Sequence, residues 1–189
     1  MYTLDDIMHI YKENEIPNNE DLYGRNKFAK EQRNFSWWYT WRRHQLERLQ
    51  IKEFWFEKQE IQAEELADYR LWWFQWLLKY YQEYVTENNF LTCEQAKIKH
   101  VILASNLQNN TTLESIKQAI RSGKLKETNM IGFKKSGINI IHDGTQRALA
   151  ITQMIRDGET VAIKINRYVQ ILDDNKRYPY IDYYPEEKK

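Results

Sequence analysis

Ile140-Ile141-His142-Asp143-Gly144-Thr145-Gln146-Arg147-Ala148 is the stretch that decides how this chain is read. A hydrophobic strand runs into Asp-Gly, and an apolar-periodic helix starts at once. Such a junction builds an anion site: the first helical N–H groups lack intrahelical acceptors, and the positive end of the helix dipole points at the same spot. Gly144 is expected to let a ligand approach the backbone without a Cβ in the way. Arg147, in the first turn, offers a planar two-pronged donor suited to phosphate. Asp143 has the chemistry to hold Mg²⁺ or to take a proton from an attacking hydroxyl. The alternative is an ordinary capping turn, with Asp143 or Thr145 as the cap and Arg147 solvated.

Working outward, Met130–Phe133 and Ile138–Ile141 read as strands joined by a tight turn at Lys135-Ser136-Gly137. The helix after the turn carries Ala148, Leu149, Ile151, Met154 and Ile155, and stops at Asp157-Gly158. Thr160–Ile165 reads as a final strand. Upstream, Thr111 or Thr112 caps a helix with Leu113, Ile116 and Ile120, which Ser122-Gly123 ends. Val101-Ile102-Leu103-Ala104 is a buried-strand candidate. From Asp173 the chain, with Pro179 and Pro185, reads as a loop or an extended wrap over the surface.

The first half has a different composition. All seven tryptophans lie between Trp37 and Trp76, and five of the six glycines come after position 120. The spacing predicts a short helix from Leu4 to Glu13 with a Thr3/Asp6 capping box. It predicts a long helix from Ser36 to Glu60, with Trp38, Trp41, Leu46, Leu49 and Phe56 on one face, and another from Ala63 to Glu87.

Read in order, Val101–Tyr168 resembles the core of the ParB/sulfiredoxin superfamily. The shared order is strand, helix, strand, tight turn, strand, Asp-Gly-x-x-Arg, Ala-rich helix and strand. Asp143-Gly144-Thr145-Gln146-Arg147 is similar to the family's Asp-Gly-Gln-Gln-Arg form of this turn. The resemblance implies a nucleotide or phosphate pocket, as in ParB-type CTP switches, sulfiredoxins that use ATP, free serine kinases and GmrSD-like NTPase halves. By that analogy Gly144 and Arg147 bind phosphate and Asp143 is the metal ligand or base; Thr145 and Gln146 complete the nucleotide-binding candidates, and His142, which on its own reads as structural more than catalytic, is the second catalytic candidate. Gln146 occupies the place where the kinases and DndB-like proteins carry His. No Cys lies in the turn, so sulfiredoxin chemistry, which needs a thiolate there, is excluded.

Composition removes other classes. There are 28 Lys+Arg against 27 Asp+Glu, a formal charge of +1, so no global field draws the chain to nucleic acid or anionic lipid. The single cysteine, Cys93, makes no internal disulfide, and no Cys/His cluster has zinc spacing. Walker loops and a Gly-x-Ser-x-Gly elbow are absent. Leu71–Leu78, interrupted by Gln75, is too short to span a bilayer, and Met1–Asp6 lacks the start of a signal peptide. The chain therefore reads as cytoplasmic with no membrane partner. Trp37-Trp38-Tyr39-Thr40-Trp41-Arg42-Arg43-His44 mixes rings and bases in the way single-stranded nucleic-acid sites and membrane-surface helices do; aromatics at helical spacing favour instead a helix-pair core with a basic edge, with some Trp left over for a protein partner.

The resulting expectation is an α+β chain: a Trp-rich helical segment over residues 1–92, a ParB/sulfiredoxin-like α/β core over 93–172 and a Tyr-rich tail over 173–189. Its expected function is nucleotide binding (ATP or CTP, with Mg²⁺) and phosphoryl transfer or NTP hydrolysis. The alternative is a non-catalytic module that binds nucleic acid or protein through the Trp-rich helices.

Overall fold

A computed structural model describes residues 1–10, 46–47, 49–72, 97–103, 107, 110–178 and 181. Its centre is a mixed six-stranded sheet in the order β1-β2-β6-β4-β5-β3. In chain order these strands are β1 (Tyr2–Thr3), β2 (Trp55–Ile61), β3 (Arg70–Leu71), β4 (Glu127–Lys135), β5 (Ile138–Asp143) and β6 (Lys164–Ile171). A 3-10 helix (Ala63–Asp68) precedes β3. Helices α1 (Ile98–Val101) and α2 (Thr111–Arg121) precede β4, and α3 (Thr145–Arg156) joins β5 to β6. β4 and β5 form an antiparallel hairpin, while β6 lies parallel on the other side of β4.

The hairpin forms where the sequence places it. Ser136 and Gly137 have φ of 49° and 78°, two positive values in succession, which match the right-handed twist of the flanking strands. Each face of the sheet is covered. On one face Met130, Ile141 and Ile165 pack with Leu66 of the 3-10 helix, Ile98 of α1, Leu113 and Ile116 of α2, and Leu149 and Ile151 of α3. On the other, Ile131, Phe133, Ile140 and Tyr168 pack with Ile7, Met8, Leu46, Leu49, Phe56 and Trp72. Burial on both faces explains why Met130-Ile131 of β4 and Ile140-Ile141 of β5 are apolar in succession rather than alternating.

Several elements differ from the expectation. Residues 55–61 form strand β2, not the end of a long helix. The wheel that groups Leu46, Leu49 and Phe56 is right about burial, since all three share one cluster. Aromatic residues fit a pleated surface as well as a helix, and here pairing with β1 and β6 decides. The helix expected from Ala63 ends at Asp68 and gives way to β3. Val101 belongs to helix α1, not to a strand. Ile98, Val101 and Ile102 stand at i, i+3 and i+4, and all three are buried. The last strand runs Lys164–Ile171 instead of Thr160–Ile165, because polar Asn166, Arg167 and Gln170 are buried within it. The cap of α2 is Asn110, whose Oδ1 accepts from the backbone N–H of Thr112 and Leu113.

Other expectations hold. Thr3 and Asp6 form the reciprocal capping bonds, and residues 4–10 are helical. In the tail, Ile181 is buried in the second cluster. The boundary drawn at residue 92 is crossed by the sheet, since β1, β2 and β3 come from one side of it and β4, β5 and β6 from the other. The Trp37–His44 segment, the first part of the helix expected over 36–60 (36–45), the greater part of the one expected over 63–87 (73–87), Cys93 and residues 182–189 lie outside the described residues. Among the described residues no helix is long and apolar enough to cross a membrane.

Candidate functional site

β5 ends at Asp143, and α3 begins at Thr145 with Gly144 as its N-cap. Gly144 has φ 86° and ψ 11°, left-handed backbone that an L side chain takes up at a cost. A Cβ there would stand 2.8 Å from Met130 Cγ and 3.5 Å from Arg147 Nη2. The glycine is therefore required by the turn's backbone and by the β4 side chain beneath it. This corrects the expectation that its missing side chain serves a ligand's approach, because the Cβ direction faces Met130.

A glycine at the N-cap supplies no side-chain oxygen for the first turn. The first i to i−4 bond of α3 runs from Ala148 N–H to Gly144 O at 2.9 Å, so the amides of Thr145, Gln146 and Arg147 lie ahead of the helical ladder. Thr145 is 5% exposed, and its buried Oγ1 makes no hydrogen bond. Asp143 and Gln146 are half-buried at the same turn.

Arg147 departs from the capping-turn alternative, which leaves it solvated. It is 9% exposed, and its Nη2 donates to the Asn129 carbonyl at 3.3 Å. That bond ties the first turn of α3 to β4. Asn129 carries the polar chain onward: its Oδ1 accepts from Asn166 Nδ2 at 3.2 Å, and the same amide donates to Glu127 Oε1. The guanidinium thus lies beside Gly144, packed and tied to a backbone carbonyl.

His142 is placed apart from the other candidates. Its ring is 1% exposed and stacks on Trp72, with centroids 4.0 Å apart, and it meets Phe133 edge-on at 5.8 Å. Trp72 and Phe133 belong to the cluster on the face opposite α3. The structure brings Asp143, Gly144, Thr145, Gln146 and Arg147 to one turn and sends His142 to the other side of the sheet.

Sequence reasoning missed a second charged group. Arg167 of β6 is 2% exposed and, among the described residues, is the largest fully buried side chain. Its guanidinium lies over the Tyr69 ring at 4.8 Å. Nη1 donates to Tyr69 Oη at 3.3 Å and to Asn139 Oδ1 at 2.8 Å, and Nη2 donates to the Phe133 carbonyl at 3.1 Å. Burial pushes the Arg167 pKa down, with the Tyr69 phenol acting the other way; burial likewise pushes the phenol's pKa up. The available signal is the alternate series Ile165, Arg167, Val169, Ile171, in which one cation interrupts the apolar face of a strand.

Among the described residues no group of three or more His, Cys, Asp or Glu is placed to hold a metal ion. A single half-buried carboxylate such as Asp143 still suits Mg²⁺, which keeps several waters and shares its shell with substrate phosphates. In comparisons with known proteins, no family model, no curated protein and no solved structure matches this chain.

Proposed function

We propose that this chain binds a nucleoside triphosphate, ATP or CTP, at the Asp143–Arg147 turn and catalyses phosphoryl transfer or NTP hydrolysis there, as a cytoplasmic member of the ParB/sulfiredoxin-like superfamily. The carrying observation is the start of α3: a left-handed glycine N-cap, the unbonded buried Thr145 hydroxyl, and a guanidinium beside the glycine. Helix N-termini favour anions through both their leading N–H groups and their dipole. The order hairpin, Asp-Gly-x-x-Arg turn, helix and parallel strand supports the superfamily reading.

In this reading the amides of Thr145 and Gln146, the Thr145 hydroxyl and Arg147 hold phosphoryl oxygens. Asp143 binds Mg²⁺ or accepts the proton of the attacking hydroxyl, and Mg²⁺, when bound, neutralises charge on the phosphates. His142 has no part in the chemistry; its stack on Trp72 fixes the end of β5.

The test is a thermal-melting titration with ATP, CTP and GTP, with and without Mg²⁺. A ligand that binds only the folded state stabilises it by about 2.7 kcal/mol at a hundred times Kd. A saturable rise with ATP or CTP is expected. Unchanged melting with all three, at millimolar nucleotide and Mg²⁺, overturns the reading.

A further inference from the structure

Strand β2 has an outer edge that β1 covers only in part. Thr3 and Tyr2 of β1 pair with Trp55 and Phe56, while the inner side of β2 pairs with β6 from Glu57 to Ile61. Among the described residues no strand lies beyond β2 over residues 57–61, so the outward N–H and C=O groups of that stretch have no strand partner. Such a row is a template for a further strand, and the side chains along it decide which strands are turned away.

The order of charges on this edge favours one strand in particular. Successive side chains alternate between the two faces, so Lys58 and Glu60 share the face that carries buried Phe56. Both are exposed and only loosely engaged within the chain. The Lys58 ammonium stands 6.0 Å from the centroid of the Tyr168 ring, and Glu60 Oε2 lies 3.6 Å from Lys164 Nζ in an open pair. Exposed contacts of that kind contribute little, which leaves both side chains able to serve a neighbour. When β2 runs antiparallel to itself about Gln59, Lys58 stands opposite Glu60 of a second copy, and Glu60 opposite its Lys58. Directly opposed Cβ atoms lie about 4.5–5.5 Å apart, whereas the like charges fall on the longer diagonals of about 7–8 Å. Parallel self-pairing in register would instead set Lys58 against Lys58.

We propose that two copies of this chain associate through the β2 edge, antiparallel about Gln59, so that their sheets join across a two-fold axis. The contact is isologous, with the same residues used by both copies. Tyr2 beside Phe56 and the 3-10 helix from Ala63 bound the seam at its ends. So short a seam makes a weak, concentration-dependent dimer. Strands β6 and β4 lie between this edge and the strand that ends at the Asp143–Arg147 turn, so the seam stands or falls independently of the nucleotide reading.

Sedimentation velocity of the full-length chain from about 10 µM to 1 mM tests the association. The parent should pass from monomer toward dimer across that range. Lys58→Glu and Glu60→Lys each set like charges opposite one another, and each should weaken self-association by about tenfold or more. Mixed in equal amounts, the two variants should associate with each other at least as well as the parent does with itself, because every Lys then meets a Glu. Melting at low concentration shows that each variant folds. A parent that stays monomeric to 1 mM overturns the seam, as does a mixture that associates no better than either variant alone.

Cross-linking reads the register. With Cys93→Ser in place, Gln59→Cys should give a disulfide-linked dimer on mild oxidation, because directly opposed Cα atoms at about 4.5–5.5 Å lie within disulfide reach. Glu57→Cys should not, since the same position in the second copy lies four residues along its strand, about 14 Å away. Linkage through position 57 as ready as through position 59 contradicts the antiparallel seam.

Discussion

Replacing Gly144 by alanine tests the geometry on which the candidate site rests. Two costs follow from the structure. At φ 86° an L residue pays about 1–2 kcal/mol relative to glycine. The new Cβ would also stand 2.8 Å from Met130 Cγ, closer than carbon atoms pack, although the methionine side chain is flexible enough to give way in part. Together these predict a loss of about 1–3 kcal/mol. In a chain of 189 residues, each kcal/mol corresponds to roughly 2–4 °C, so melting should fall by about 2–12 °C. Gly144→Asn separates the two costs, because asparagine visits left-handed backbone more readily but brings the same Cβ. It should therefore lose less stability than alanine while displacing Met130 equally. The assay is thermal and urea unfolding of parent and both variants. If Gly144→Ala melts with the parent, the turn is not left-handed and the start of α3 described above is wrong.

Two further outcomes are expected. His142→Phe keeps the stack on Trp72 and the edge contact with Phe133, so folding and turnover should both persist; a collapse of turnover in a folded variant would return His142 to the catalytic group. Hydrogen bonds from Thr3 hold the Asp6 carboxyl below its ordinary 3.8, and bonding to Arg121 holds Glu159 below its ordinary 4.5. Groups with depressed folded pKa values stabilise above their unfolded pKa and lose that contribution as pH falls through the folded one. Acid titration below about pH 4 should therefore weaken the parent more than the Asp6→Asn, Glu159→Gln double variant, and equal acid sensitivity would contradict this.

Much of the fold was legible because local chemistry and burial agree. Ser136-Gly137 requires positive φ at both residues and takes it. The β5–turn–α3 junction is announced by an apolar run, Asp-Gly and an abrupt change of period. Legibility failed where one pattern serves two structures. Trp55-Phe56 suits strand and helix alike, and the choice is made by β1 and β6, far away in sequence. The run Val101-Ile102-Leu103 is too short for periodicity to tell a strand from a helix turn, and Ile98 settles it. In β6 the buried polar residues conceal the strand. The hydrogen bonds that Asn166 and Arg167 do make run to other elements, which no local window contains. The turn's candidate residues were visible as a motif. What the motif did not carry is that Arg147 is packed and bonded to Asn129, and that His142 faces the opposite side of the sheet.

The central claim is that Arg147 holds a nucleotide phosphate, and calorimetric affinity for ATP and CTP in the presence of Mg²⁺ tests it most directly. Parent, Arg147→Ala and Asp143→Asn are compared after each is shown to fold. Arg147→Ala should bind about ten- to a hundredfold more weakly, since charge-assisted hydrogen bonds contribute roughly 1.5–3 kcal/mol. It should also lose some stability, because the Asn129 carbonyl loses its donor. Asp143→Asn should retain nucleotide and lose turnover, with binding weakened mainly where Mg²⁺ is required. Affinity in folded Arg147→Ala equal to that of the parent would contradict the claim.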